Sequence, residues 1–237
     1  MKPSALEKLS SARLPEAFKR DTLNQIVSAG LLGLLEPQTI PVEIIETLRG
    51  RDLAEMARKR EITMAMVKPH VHEAVISEAI PAEIAGDAAI AGFILSQINR
   101  PLEIVFDASV VMSKLELSEF YSGGPMQKQK STPAIDPNRY GGSHTNRWDE
   151  FCALMTSGPV TYAVLYGEGV DAIALWRQQM GDNWNVEKVR DDYPASIRAR
   201  LARNSHNNLL HGSDSPESVI REATWLADAL NNRRKKE

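Results

Sequence analysis

Cysteine is nearly absent: Cys152 stands alone in 237 residues. That excludes an internal disulfide framework and suits a reducing compartment. Aromatic side chains make up only 6%, and the formal charge nearly cancels at -3, so bulk electrostatics give no reason to expect nucleic-acid binding. No segment reaches the roughly 18 apolar residues that span a bilayer. The opening stretch MKPSALEKLSSARL lacks an apolar signal core, and the run IVSAGLLGLL follows only after FKRD; the expected location is cytoplasmic, without a membrane partner. Also missing are the GxxxxGK[ST] phosphate loop, the GxGxxG fingerprint and the Gly-x-Ser-x-Gly elbow. A conventional P-loop NTPase, a Rossmann dehydrogenase and an α/β-hydrolase are disfavoured. His70 and His72 lie two apart, but no further ligands stand at the spacing a metal site needs.

What is present reads as an ordinary globular chain, 43% hydrophobic and 25% charged, long enough to bury a substantial core. Residues 1–58 read as helical: a stripe from Pro15 that Pro37 ends, PVEIIETL closed by Gly50, and the charged RDLAEMARKRE. From residue 62 the pattern changes. ITMAMVKP is a short strand, residues 71–98 are helical with a break at Pro81, LEIVFDASVVMS is a second strand and LELSEFYS a short helix. Residues 123–144 form a Gly- and Pro-rich loop. NRWDEFCALMTSG (helix), PVTYAVLYGEG (strand) and VDAIALWRQQMG (helix) follow, then a turn-rich connection. Four strands among helices imply an α/β layered sandwich, but periodicity leaves the strand directions open. The tail, 233–237, reads as a solvated charged end.

The most informative stretch is HNNLLHGSDSPESVIREATWLADAL, residues 206–230. Leu209 and Leu210 end a short apolar strand, Gly212 permits a turn, and Ser215-Pro216 is a good helix start. Val219, Ala223, Leu226 and Leu230 then form one core-facing stripe. His211 is thereby placed between a strand end and a helix N-terminus, a region that suits phosphate. Glu222 lies one position from the stripe and can fold back to hold one imidazole proton, leaving the other nitrogen as a nucleophile.

The segment NNLLHGSDSPES, with MVKP (66–69), SEFY (118–121), MTSGPV (155–160), WRQQMG (176–181) and PASIR (194–198) in the same order, strongly resembles the nucleoside diphosphate kinase family over about residues 60–232. The resemblance implies a ferredoxin-like fold: a four-stranded antiparallel sheet covered by helices. It implies a domain at 59–232 with a helical N-terminal extension, 1–58, and an inserted loop, 123–144. It also implies ping-pong transfer of a terminal phosphate from a nucleoside triphosphate to His211 and then to a nucleoside diphosphate. Mg²⁺ would be held by the nucleotide phosphates rather than by the protein. Carried over by position, Glu222 orients His211; Lys68, Arg177 and Arg198 contact phosphates; Tyr121 lies near the phosphate path; and Asn208 binds the sugar and phosphate end. Since family members commonly form symmetric oligomers, a homo-oligomer is expected.

The match departs from the family in places. HVHEAV follows Lys-Pro where the family has Asp, a small residue and Val, with Arg-Gly soon after. Asn183 replaces a threonine within a lengthened connection. Near the family's base-stacking aromatic the chain offers Trp148, with Arg147 beside it. These changes leave two alternatives open: a catalytically weak or inactive nucleotide-binding or assembly module with the same fold, and transfer from His211 to a protein partner. The extension's apolar stripes need a surface to cover them, either the rest of the chain or another copy.

Overall fold

The computed structural model describes residues 40, 42–69, 84, 87–121, 147–203, 205 and 208–234. The expected helix of the first 39 residues, the His70/His72 pair and the 123–144 insertion lie outside the described residues. Four strands are present: β1 (Ile62–Val67), β2 (Glu103–Val111), β3 (Pro159–Tyr166) and β4 (Leu210–Gly212). Around them lie α1 (Val42–Leu48), α2 (Arg51–Arg58), α3 (Asp87–Leu95), α4 (Lys114–Phe120), α5 (Arg147–Met155), α6 (Ala172–Met180), α7 (Val186–Asp192), α8 (Ile197–Leu201) and α9 (Pro216–Arg234).

The strands pair in the order β2-β3-β1-β4, and every neighbouring pair is antiparallel. This is the ferredoxin-like α+β sheet that the resemblance implies, and the pairing settles the directions that periodicity left open. Every residue of β1 is buried, because the strand is interior to the sheet and covered on both faces. Its side chains divide the core by the two-residue strand period. Met64 and Met66 join Phe106, Val164 and the α9 residues Val219 and Leu226 in one layer. Ala65 and Val67 join Ala163, Leu165 and Trp176 in the other.

Helices α1 and α2 belong to the first layer. Ile44, Ile45, Leu48, Leu53 and Met56 are buried together with the stripe of α9, and Arg49 pairs with Asp228 on that helix. The apolar stripe of this part of the N-terminal segment is thus covered by the chain itself. Two features differ from the sequence reading. The supposed turn-rich connection contains α7, capped by Asn185, whose side chain accepts from the Lys188 amide at 3.2 Å, and anchored by buried Val186 and Val189. At the far end α9 runs to Arg234, past the point where a solvated end was expected. Arg233 donates to the Val111 carbonyl at 2.6 Å and pairs with Glu116 at 3.0 Å.

Candidate active site

His211 sits in the middle of β4, opposite Met66 of β1. The imidazole therefore faces the layer of α9 and α4, while its neighbour Gly212 faces the other way. A Cβ at Gly212 would lie 2.4 Å from Trp176 Nε1, so the strand reaches this depth only with glycine. Ser215 caps α9 as expected, accepting from the Ser218 amide at 3.2 Å. About two turns on, Glu222 turns its carboxylate back under the strand. Its Oε1 lies 3.1 Å from His211 Nε2, and its Oε2 accepts from Ser213 Oγ at 2.7 Å. The Glu222 side chain is 3% exposed and that of His211 25%. A buried carboxylate on Nε2 favours the tautomer with the proton there, leaving the Nδ1 lone pair available. Arg221 approaches the same Oε1 at 3.4 Å.

Beside this pair lies a buried cation. Lys68 follows β1 directly, its amide bonded to the Leu209 carbonyl at 2.8 Å, and the residue is only 7% exposed. The ammonium donates to Asn208 Oδ1 and lies 5.9 Å from the Phe151 ring centre. Among the described residues no carboxylate pairs with it. Burial, reinforced by nearby Arg198, pulls its pKa down to about 7. Arg198 is buried too, and its guanidinium donates to the backbone carbonyls of Gly181, Asn183, Asn208 and Leu210.

Tyr121 ends α4 with its ring 5.9 Å from that of His211, edge to face. Burial, with the Glu222 charge adding to it, pushes its phenol well above the ordinary range, so it stays a hydrogen-bond donor at physiological pH. Phe120 packs edge to face on His211 at 5.8 Å. Trp148 is half-buried, 6.1 Å from Phe151, which in turn meets Tyr121 at 5.1 Å. Arg177 projects from α6 and is held by Asp182. It lines an open cleft of about 480 Å³ with Arg60, Gln178, Asp182, Tyr193 and Asp214. Asp214, whose carboxyl is held down first by the Ser218 hydroxyl, also feels Arg177 and His211. Asn183 is engaged locally: its side chain accepts from the Asn185 amide at 2.9 Å.

The fold thus gathers His211, Glu222, Lys68, Asn208, Arg198 and Tyr121 into one network of bonds and ring contacts. Arg177 and Asn183 stand at its border and Trp148 at the end of an aromatic wall. Two contributors were not singled out in the sequence. Ser213 stands two residues beyond His211, so the period of an extended strand was the available signal. Phe151 stands three beyond Trp148, on the same side of a helix. Among the described residues no group of three His, Cys, Asp or Glu side chains is placed to hold a metal.

The family profile for nucleoside diphosphate kinase matches residues 61–229. A protein of Mycobacterium sp. (strain MCS) named nucleoside diphosphate kinase is 52% identical over 69 residues, covering 29% of this chain and 47% of that protein. One of the same name from Ruegeria sp. (strain TM1040) is 32% identical over 131 residues, covering 54% and 75%. The solved Aquifex aeolicus nucleoside diphosphate kinase aligns at a TM-score of 0.48 with 26% identity, covering 70% of this chain and 94% of that one. The chain spans about half the length of several curated relatives it matches. With the family profile matching residues 61–229 and the Ruegeria relative 32% identical over 75% of its length, the chain belongs to the nucleoside diphosphate kinase family.

Proposed function

We propose that this protein transfers the terminal phosphate of a nucleoside triphosphate to a nucleoside diphosphate through phosphorylated His211. The observation that carries this reading is the 3.1 Å contact between His211 Nε2 and the buried Glu222, whose second oxygen is held by Ser213. Nδ1 attacks the terminal phosphorus; the N–P bond forms as the bond to the bridging oxygen breaks, and the nucleoside diphosphate leaves. A second diphosphate takes the group by the reverse step. No proton need leave Nδ1, and the positive charge gained by the phosphorylated ring is met by Glu222.

Transfer of a phosphoryl group is mainly alignment and neutralisation of spread negative charge. Lys68 supplies a desolvated cation without a carboxylate partner among the described residues, and Arg177 supplies a second once the phosphate displaces Asp182. Tyr121 donates along the phosphate path, and the amide nitrogen of Asn208 reaches the sugar end while its oxygen holds Lys68. Asn183 borders the nucleotide and Trp148 stacks on the base. Mg²⁺ arrives with the substrate, on the nucleotide phosphates, where it neutralises charge. His211→Ala tests the reading, since it removes the acceptor at a quarter-exposed position. Transfer should fall by about 10⁴-fold or more with the circular dichroism spectrum kept; undiminished transfer sinks the proposal.

A further inference from the structure

Phe151 is a ring at a place where packing asks only for an apolar side chain. On α5 the residues Trp148, Phe151, Cys152 and Met155 recur at helical spacing and share one face. Cys152 and Met155 are buried in the first core layer. Trp148 and Phe151 are half-buried and pack against the edge of that layer, so the stripe leaves the core as it nears the candidate site. Two rings hold Phe151 there. Tyr121 meets it edge to face at 5.1 Å and 80°, and Trp148 lies tilted to it at 6.1 Å. Those contacts fix the direction in which the ring face looks.

That face looks at Lys68. Met64 and Met66 of β1 lie in the first layer, and Lys68, two residues on, keeps to the same side of the sheet. Its ammonium stands over the Phe151 ring, 5.9 Å from the centre, within the roughly 6 Å over which the negative face of an aromatic ring attracts a cation. Little else compensates this charge. Among the described residues its one bonded partner is the Asn208 amide oxygen, and the Arg198 charge acts against it. Desolvation strengthens the attraction of a cation to a ring, and Lys68 is buried.

We propose that Phe151 is a positioning residue whose ring face holds the Lys68 ammonium in place for the nucleotide phosphates. The same ring ties Lys68 to the aromatic group around His211, because Tyr121 touches both Phe151 and the imidazole. Leucine at position 151 would fill much of the space and lose the hold. This inference rests on the reading that Lys68 meets the phosphates, and it does not require that phosphate reach His211.

The test uses the full chain and the Kd for ADP with Mg²⁺ at pH 7. Phe151→Leu removes the ring. Replacing Phe151 by pentafluorophenylalanine keeps the shape closely while reversing the charge of the ring face, and it decides the matter if the leucine variant does not fold. Each replacement should weaken ADP binding by about 3- to 30-fold. In the Lys68→Met background the same replacements should change the Kd by less than about twofold, because the group through which they act is gone. A fluorinated protein that binds ADP within about twofold of the parent overturns the proposal. Equal weakening in both backgrounds also overturns it, and would make Phe151 part of the wall against the base. If Lys68→Met alone leaves the Kd unchanged, the phosphate role of Lys68 fails and this inference with it. Absence of label on His211 from γ-labelled ATP overturns the transfer reading alone, and the ADP measurements still report on Phe151.

Discussion

Lys68 is costly where it stands. A buried ammonium whose only bonded partner among the described residues is an amide oxygen is worse solvated than in water, which is why its pKa falls from 10.5 to about 7. In the unfolded chain the same lysine holds its proton up to its ordinary pKa. Between about pH 7 and 10.5 the unfolded state therefore binds more protons, and this group's contribution makes stability rise with pH across that window. Lys68→Met should raise the unfolding free energy at pH 7 by about 1–4 kcal/mol, read by urea titration, while abolishing transfer. A destabilised but active variant would contradict the role given to Lys68. Phosphate restores the missing anion, so nucleotide binding near pH 8 should draw a proton onto the site, detectable as a buffer-dependent binding enthalpy.

Arg177 shows the opposite arrangement at the same scale, a cation already occupied. Asp182 holds it with both side chains about one-third exposed, so the pair contributes only about 0.5–1 kcal/mol. A phosphate that recruits Arg177 must break that pair. Asp182→Asn should therefore lower KM for the nucleoside diphosphate by about two- to fivefold with kcat little changed. A raised KM would show that Asp182 supports binding instead of competing with it.

Among the elements, α1 and α2 lie before the segment that matches the family profile, 61–229, yet share a core with α9, the helix that carries Glu222. Leu53→Ala should therefore cost about 2–5 kcal/mol in the unfolding of the whole protein, measured by denaturant titration in a single transition. A separate early transition, with the rest unmoved, would show that these helices are a detachable appendage. The existence of these helices was legible, because Pro41, Gly50 and the spacing of Ile44, Ile45 and Leu48 bound them. Helix α7 was not: Asn183, Asn185 and the aspartates after Arg190 read as turn formers, and what decides is the burial of Val186 and Val189 against the rest of the fold. Local propensity loses to tertiary packing there.

For the whole molecule, pattern alone pointed to four strands among helices, and the resemblance supplied the antiparallel order that the pairing shows. His211 and Glu222 were legible because strand end, helix cap and core stripe together place them. The partners of Arg198 were not, because four backbone carbonyls leave no trace in side-chain sequence. Among the described residues no helix is long and apolar enough to cross a membrane.

The most direct measurement of the central claim is a two-step label transfer. Purified protein is mixed with Mg²⁺ and γ-labelled ATP, the site of acid-labile label is mapped, and GDP or CDP is then added. Label on His211 that moves wholly to the added diphosphate is the predicted result. Nucleotide bound without any label on His211 would contradict it and leave a nucleotide-binding protein that shares the family's fold without its exchange reaction.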